Sequence, residues 1–191
     1  MKTIQWFPGH MAKAMRMMED NLKLCDAVVF VLDARVPASS YNARLADMVG
    51  GKPVLYLFNK ADMADGGADE AVALIKKSGK PALKIAASSP VSLRPLQSAM
   101  DALVTQKRER IAQKGAVRPM RFLIAGIPNT GKSTLINLLS GGKKTQVGDK
   151  AGVTRTKQWV RCGAFELMDT PGTMPPALAD QRLARRLAYV G

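Results

Sequence analysis

One octapeptide, Gly126-Ile127-Pro128-Asn129-Thr130-Gly131-Lys132-Ser133, constrains this chain more than any other feature. Gly-x-x-x-x-Gly-Lys-Ser is a phosphate-binding P-loop when a strand runs into it and a helix leaves it. Both conditions hold. Met120 to Ala125 is apolar and reads as a strand, and residues 132–140 read as a helix. Backbone N–H groups of such a loop, with those of the helix N-terminus, converge on phosphate oxygens. Lys132 is placed to reach the β- and γ-phosphates, and the Ser133 hydroxyl to bind Mg²⁺. Pro128, Asn129, Thr130, Gly131, Lys132, Ser133 and Thr134 are therefore the expected phosphate-side contacts.

Two further motifs suit the same ligand. Asp169-Thr170-Pro171-Gly172 closes a short apolar segment downstream. Asp169 fits the acid that holds Mg²⁺ through water, and the Gly172 N–H fits a γ-phosphate contact. Thr154, between the two motifs, is the candidate switch threonine for Mg²⁺ and the γ-phosphate. Asn59-Lys60-Ala61-Asp62 is a base-reading signature. A carboxylate such as that of Asp62 accepts from N1–H and N2–H₂ of guanine. Adenine offers neither group on that edge, so the acid would be left unpaired. The pattern favours GTP and GDP over ATP.

Around these motifs the chain alternates apolar strands with amphipathic helices. Strands are expected at 27–32, 54–58, 83–87, 120–125, 157–162 and 164–168. Helices are expected at 10–24, 40–49, 68–78, 92–106, 132–140 and 176–189. Met11, Met15, Met18 and Leu22 line one face of the first helix at helical spacing. Residues 107–119 read as a basic helix end and linker, and 141–156 as a loop. This alternation implies an α/β fold: a mostly parallel sheet with helices on both faces. All three motifs follow strands, so they can share one site beyond the strands' carboxyl ends. Their order is unusual. Ordinary GTPases place the P-loop first, yet here Asn59 precedes Gly126 by 67 positions. A circularly permuted GTPase domain over 1–191 accounts for that order. The old termini are then joined near 107–119, and new ends open after Asp-x-x-Gly.

Composition narrows the class. With 191 residues, 47% apolar and 23% charged, the chain can bury a core as one domain. The longest strongly apolar run, Ala27 to Leu32, falls far short of the ~20 residues a membrane span needs. No secretory signal is expected, because Trp6-Phe7-Pro8-Gly9-His10 interrupts the start before an apolar stretch forms. Cys25 and Cys162 form neither a zinc cluster nor a disulfide framework, which suits a reducing cytoplasm. The 29 Lys and Arg against 15 Asp and Glu give a net charge of +14. That surplus favours a polyanionic partner such as RNA, the alternative being a solvated basic surface.

The chain resembles the RbgA/YlqF family of circularly permuted GTPases. The likeness rests on the permuted order and on the opening Ile4-Gln-Trp-Phe-Pro-Gly-His-Met-Ala-Lys13. It rests too on Asp33-Ala34-Arg35, Asn59-Lys60-Ala61-Asp62, the P-loop and Asp169-Thr-Pro-Gly172. It covers essentially the whole chain. It implies GTP hydrolysis in assembly of the large (50S) ribosomal subunit, with that subunit or its rRNA-containing precursor as partner. By the same resemblance His10, in the segment 1–24, is the catalytic histidine and Asn129 helps hold an activating K⁺. Ala86 and Ala87 then stand where the family carries a Ser-Ala-like base loop. A cytoplasmic monomer is expected. The family's helical C-terminal domain is expected to be missing, since the chain stops nineteen residues after Gly172. Thr173-Met-Pro-Pro176 departs from the family's pattern after Asp-x-x-Gly.

Two other classes fit part of these residues. A P-loop ATPase or kinase fits the P-loop alone, and nucleotide competition separates it. A non-catalytic basic RNA-binding module with a structural nucleotide site is separated by single-turnover hydrolysis. A small-subunit permuted GTPase would need a zinc module, which one His and two Cys cannot build.

Overall fold

A computed structural model describes residues 8–142 and 159–170, with side chains from residue 15 onward. Its central element is β1 (Ala27–Asp33), whose seven residues are all buried. A strand buried on both faces carries an unbroken apolar run, as Ala27-Val-Val-Phe-Val-Leu32 does. β2 (Val54–Asn59) pairs with one edge of β1 and β4 (Met120–Ala125) with the other, both parallel. β3 (Ala82–Lys84) adds outside β2, and β6 (Phe165–Asp169) outside β4. β5 (Trp159–Cys162) runs antiparallel along β6, giving the order β3-β2-β1-β4-β6-β5. The expected mostly parallel α/β sheet is the observed one.

Side chains alternate across the sheet and feed two apolar layers. Val29 and Val31 face α5 (Leu93–Gln113) and α6 (Lys132–Leu139), where Leu96, Met100, Val104, Leu135 and Ile136 are buried. Val28, Phe30 and Leu32 face α1 (Pro8–Leu22), α3 (Ala43–Val49) and α4 (Gly67–Lys77). Met18 is fully buried there, with Met15 and Leu22 packed beside it, so the stripe from Met15 onward packs into the core. Proline as the first residue of α1 is favourable, because its missing N–H has no helical partner at that position.

Several boundaries differ from the sequence expectation. The helix expected over 40–49 is two: α2 (Pro37–Ser40) and α3, separated by an extended Tyr41. Asn42 restarts the helix as its cap, accepting the Leu45 N–H at 3.1 Å. β3 stops at Lys84 rather than reaching residue 87. α5 continues to Gln113, through much of the expected linker. Past α5, the connection is tied down by Asp26, whose carboxylate is 2% exposed. Asp26 accepts from Arg118 Nη1 at 2.7 Å and Nη2 at 2.9 Å, from the Arg121 N–H at 2.8 Å, and pairs with Lys107 at 2.8 Å. Burial alone would raise its pKa. The bonds from Arg118, Arg121 and Lys107 outweigh burial and hold the carboxyl well below the usual range. The loop and strand residues expected over 143–158, and the helix expected over 176–189, lie outside the described residues.

Candidate functional site

The ends of β2, β4 and β6 bring the three motifs together. The P-loop leaves β4 through Gly126 at φ 156°, where a Cβ would run into the Val31 carbonyl of β1. Thr130 Oγ1 donates to the Ile127 carbonyl at 3.0 Å, closing the loop on itself. Lys132 Nζ donates to that same carbonyl at 2.8 Å and is buried. Burial pushes its pKa down to about 8, against the pull of Asp169. An ammonium held on one carbonyl in a dry loop is a strong site for a phosphate oxygen.

Ser133 Oγ donates to Asp169 Oδ2 at 3.0 Å. The other oxygen, Asp169 Oδ1, is buried and has no hydrogen-bond partner among the described residues. Burial raises the Asp169 pKa, opposed by Lys132, by Ser133 and by the Thr170 N–H. An unsatisfied carboxylate oxygen beside a P-loop serine hydroxyl is a hard-oxygen donor set. Mg²⁺, which takes one or two carboxylates and keeps several waters, fits it.

On the base side, Asn59 at the end of β2 is 2% exposed. Its Nδ2 donates to the Thr130 carbonyl at 2.8 Å, and its Oδ1 accepts the Ala87 N–H at 2.9 Å. One amide thus joins the P-loop to the loop after β3. Gly131, at φ 87°, sits against this amide, and a Cβ there would collide with Asn59 Nδ2. Lys60 Nζ donates to the Asn129 carbonyl at 2.6 Å. The Ala61 N–H donates to the Ile85 carbonyl at 3.0 Å. Asp62 lies exposed in the short 3₁₀ turn Ala61–Met63, its carboxylate open to a ligand. Ala86 is fixed by Ser92, whose Oγ accepts its N–H at 3.2 Å and donates to its carbonyl at 2.7 Å.

These bonds join Asn59 and Lys60 to Thr130 and Asn129 of the P-loop and Asn59 and Ala61 to Ala87 and Ile85, with Asp62, Ala86 and the rest of 128–134 adjoining along the chain, and Asp169 lies against Ser133. Thr154 and Gly172 lie outside the described residues. His10 is in the first turn of α1, and its side chain is likewise outside the description. Sequence reasoning assigned no task to Ser92 or to Asp33. Asp33 ends β1 directly opposite Asn59, a register that only the structure shows.

Chain order aside, fold and site define a P-loop GTPase domain with its halves exchanged, base loop first and phosphate loop second. Comparison with known proteins narrows this. Residues 121–190 match the family described as 50S ribosome-binding GTPase. Ribosome biogenesis GTPase A of Bacillus cereus is 44% identical over 98% of this chain and 64% of its own length. Its namesake in Priestia megaterium is 42% identical over 99% of this chain and 67% of its own length. The crystal structure of GNP-bound YlqF from T. maritima superposes with a TM-score of 0.62 at 30% identity, covering 92% of this chain and 64% of that one. The chain belongs to the ribosome biogenesis GTPase A family. It spans less than two thirds of the Bacillus cereus relative's length.

Proposed function

We propose that this protein binds GTP and GDP with Mg²⁺, hydrolyses GTP to GDP and phosphate, and acts in assembly of the large (50S) ribosomal subunit. The observation that carries the nucleotide reading is the Asn59 amide. It bonds the P-loop at Thr130 and the third loop at Ala87, so phosphate and base contacts form one rigid cradle. Asp62 is left exposed beside that cradle to accept from guanine.

Within the cradle the P-loop N–H groups and Lys132 hold the phosphates, Lys132 exchanging the Ile127 carbonyl for phosphate oxygens. Ser133, Asp169 and Thr154 hold Mg²⁺, which when bound neutralises charge on the β- and γ-phosphates. The Gly172 N–H steadies the γ-phosphate. His10 orients the attacking water, and Asn129 helps hold K⁺. Ala86 and Ala87 back the base. The new bond forms between the water oxygen and the γ-phosphorus as the bond from that phosphorus to the bridging oxygen breaks; the bridging oxygen leaves with GDP, and the water's proton passes to the released phosphate. The partner is the large subunit or its rRNA-containing precursor, met in the cytoplasm by a monomer.

Calorimetry tests the nucleotide reading. GTP and GDP should bind about 10⁴-fold more tightly than ATP, the scale on which a site built to hydrogen-bond a donor rejects an analogue that lacks it. Asp62→Asn should weaken guanine nucleotides and admit xanthine nucleotides, whose C2 oxygen needs a donor. Equal affinity for ATP and GTP would overturn the assignment in favour of an ATPase or kinase.

A further inference from the structure

Asp33-Ala34-Arg35 has no task in the mechanism above, yet its acid is the most heavily bonded group beside the cradle. The Asp33 carboxylate is 4% exposed. Arg35 grips it with Nε at 2.9 Å on Oδ1 and Nη2 at 2.7 Å on Oδ2, and the Arg35 N–H adds a bond at 3.0 Å to Oδ1. Lys60 Nζ lies 3.0 Å from Oδ2. That same Nζ reaches 2.6 Å to the Asn129 carbonyl of the P-loop. A chain of charge-assisted contacts thus runs Arg35, Asp33, Lys60, Asn129.

The backbone at its far end supplies a second observation. Lys60 at φ 62° and Asn129 at φ 61° are the only non-glycine residues with positive φ among the described residues. Left-handed backbone is unfavourable for residues with a Cβ and persists where surroundings over-determine it. Here one hydrogen bond joins the two strained residues, and Asp33 is the buried anion that aims its donor.

We propose that Asp33, held by Arg35, is a positioning residue: it fixes the Lys60 ammonium across the gap between base loop and P-loop and so sets how long a guanine nucleotide stays bound. The Asn59 amide makes the other bridge between those loops. With both in place the base and phosphate contacts must open together. With the Lys60 bridge slack, they open separately and the nucleotide leaves sooner. The effect falls on retention rather than on the chemical step. Arg35 has a further influence, since Asp62 lies within electrostatic range of its guanidinium. The inference rests on the guanine-nucleotide reading.

The test is dissociation of a fluorescent N-methylanthraniloyl GDP, followed by stopped flow in wild type, Asp33→Asn, Lys60→Met and the double variant. Asp33→Asn should release the nucleotide about tenfold faster or more. Its loss in retention should exceed its loss in turnover at saturating GTP by at least fivefold. In the Lys60→Met background the same substitution should add less than twofold, because Asp33 acts through Lys60. A general structural role would accelerate release equally in both backgrounds and would overturn the proposal. Asp33→Glu keeps the buried charge for Arg35 and serves if the Asn variant does not fold. It should release severalfold faster, and a wild-type rate would overturn the proposal. If wild type itself does not retain the labelled GDP, the guanine-nucleotide reading falls and takes the clamp with it. If it does and Asp33→Asn matches it, only the clamp falls.

Discussion

Ordinary GTPases set a glutamine just after Asp-x-x-Gly to orient the attacking water. Thr173 stands at that position here, and its side chain is too short to reach as a glutamine amide does. The chain holds one histidine, His10, and the structure starts α1 at Pro8 so that His10 falls in the helix's first turn. An imidazole with a pKa near neutrality can accept from and donate to a water at physiological pH. His10→Ala should keep near-normal GTP affinity and lose turnover by about tenfold or more, equivalent to about 1.4 kcal/mol in the barrier. The assay is steady-state hydrolysis with and without large ribosomal subunits. Unchanged turnover in their presence would remove His10 from the mechanism.

Among the elements, the return from α5 to β4 depends on one buried acid. Asp26 is ionised and held by three residues when folded, and its folded pKa lies below the unfolded value of about 3.9. The native state therefore gives up this proton at lower pH than the unfolded chain. Its stabilisation is complete above the unfolded pKa and is lost as pH falls through the folded one. Asp26→Asn should cost roughly 1.5–3 kcal/mol at neutral pH, the scale of hydrogen bonds to a charged group. Denaturant midpoints of wild type and variant should approach each other as pH drops from 6 toward 3, and a constant gap would contradict the assignment. Much at this scale was legible in the sequence. β1, β2, β4 and α6 follow from short apolar runs and from the P-loop's own strand-loop-helix grammar. What was not legible depended on distant partners. Past residue 106, α5 continues through Lys-Arg-Glu-Arg-Ile-Ala-Gln113, good helix formers that the run of positive charge masked, and Asp26, far upstream, pairs with Lys107 on it and with Arg118 beyond it. Past β3, the Ile85 N–H still bonds the Phe58 carbonyl, but by Ala87 the backbone N–H goes to the Asn59 side chain rather than to a neighbouring strand. The split at Tyr41 had a local cue in the Asn42 cap, but helical spacing on both sides concealed it. The phosphate and base motifs could be read residue by residue. The Asp33 contact could not, because its meaning lies in the register that sets it opposite Asn59.

For the whole molecule, the net charge of +14 should give RNA binding that weakens with salt. Each neutralised phosphate contributes about 0.7–0.9 to the log–log slope. The structure sorts the basic run between 107 and 118. Lys107 and Arg118 are engaged with Asp26, and Arg108 with Asp101. Arg110 and Lys114 are exposed on α5 and its end. Neutralising those two should flatten the slope in a filter-binding titration, whereas Lys107→Ala should act mainly on stability. Lys143, Lys144, Lys150, Arg155 and Lys157, the other basic candidates, lie outside the described residues. Affinity that stays flat across salt would refute the electrostatic reading.

The position of β1 has a consequence during synthesis. One of its edges is paired by β2, made soon afterwards, and the other by β4, whose Leu123 meets Val28. At roughly 5–20 residues per second, a nascent chain waits several seconds between making those two partners. During that wait the base-reading half is already translated, and a strand apolar from Ala27 to Leu32 has one of its two partners still to come. Only when β4 fills that edge does the phosphate loop come to rest beside Asn59. A nucleotide that needs both loops, as proposed above, can be held only once translation has reached the second half, so retention by a nascent chain would report that the two halves of the sheet have met.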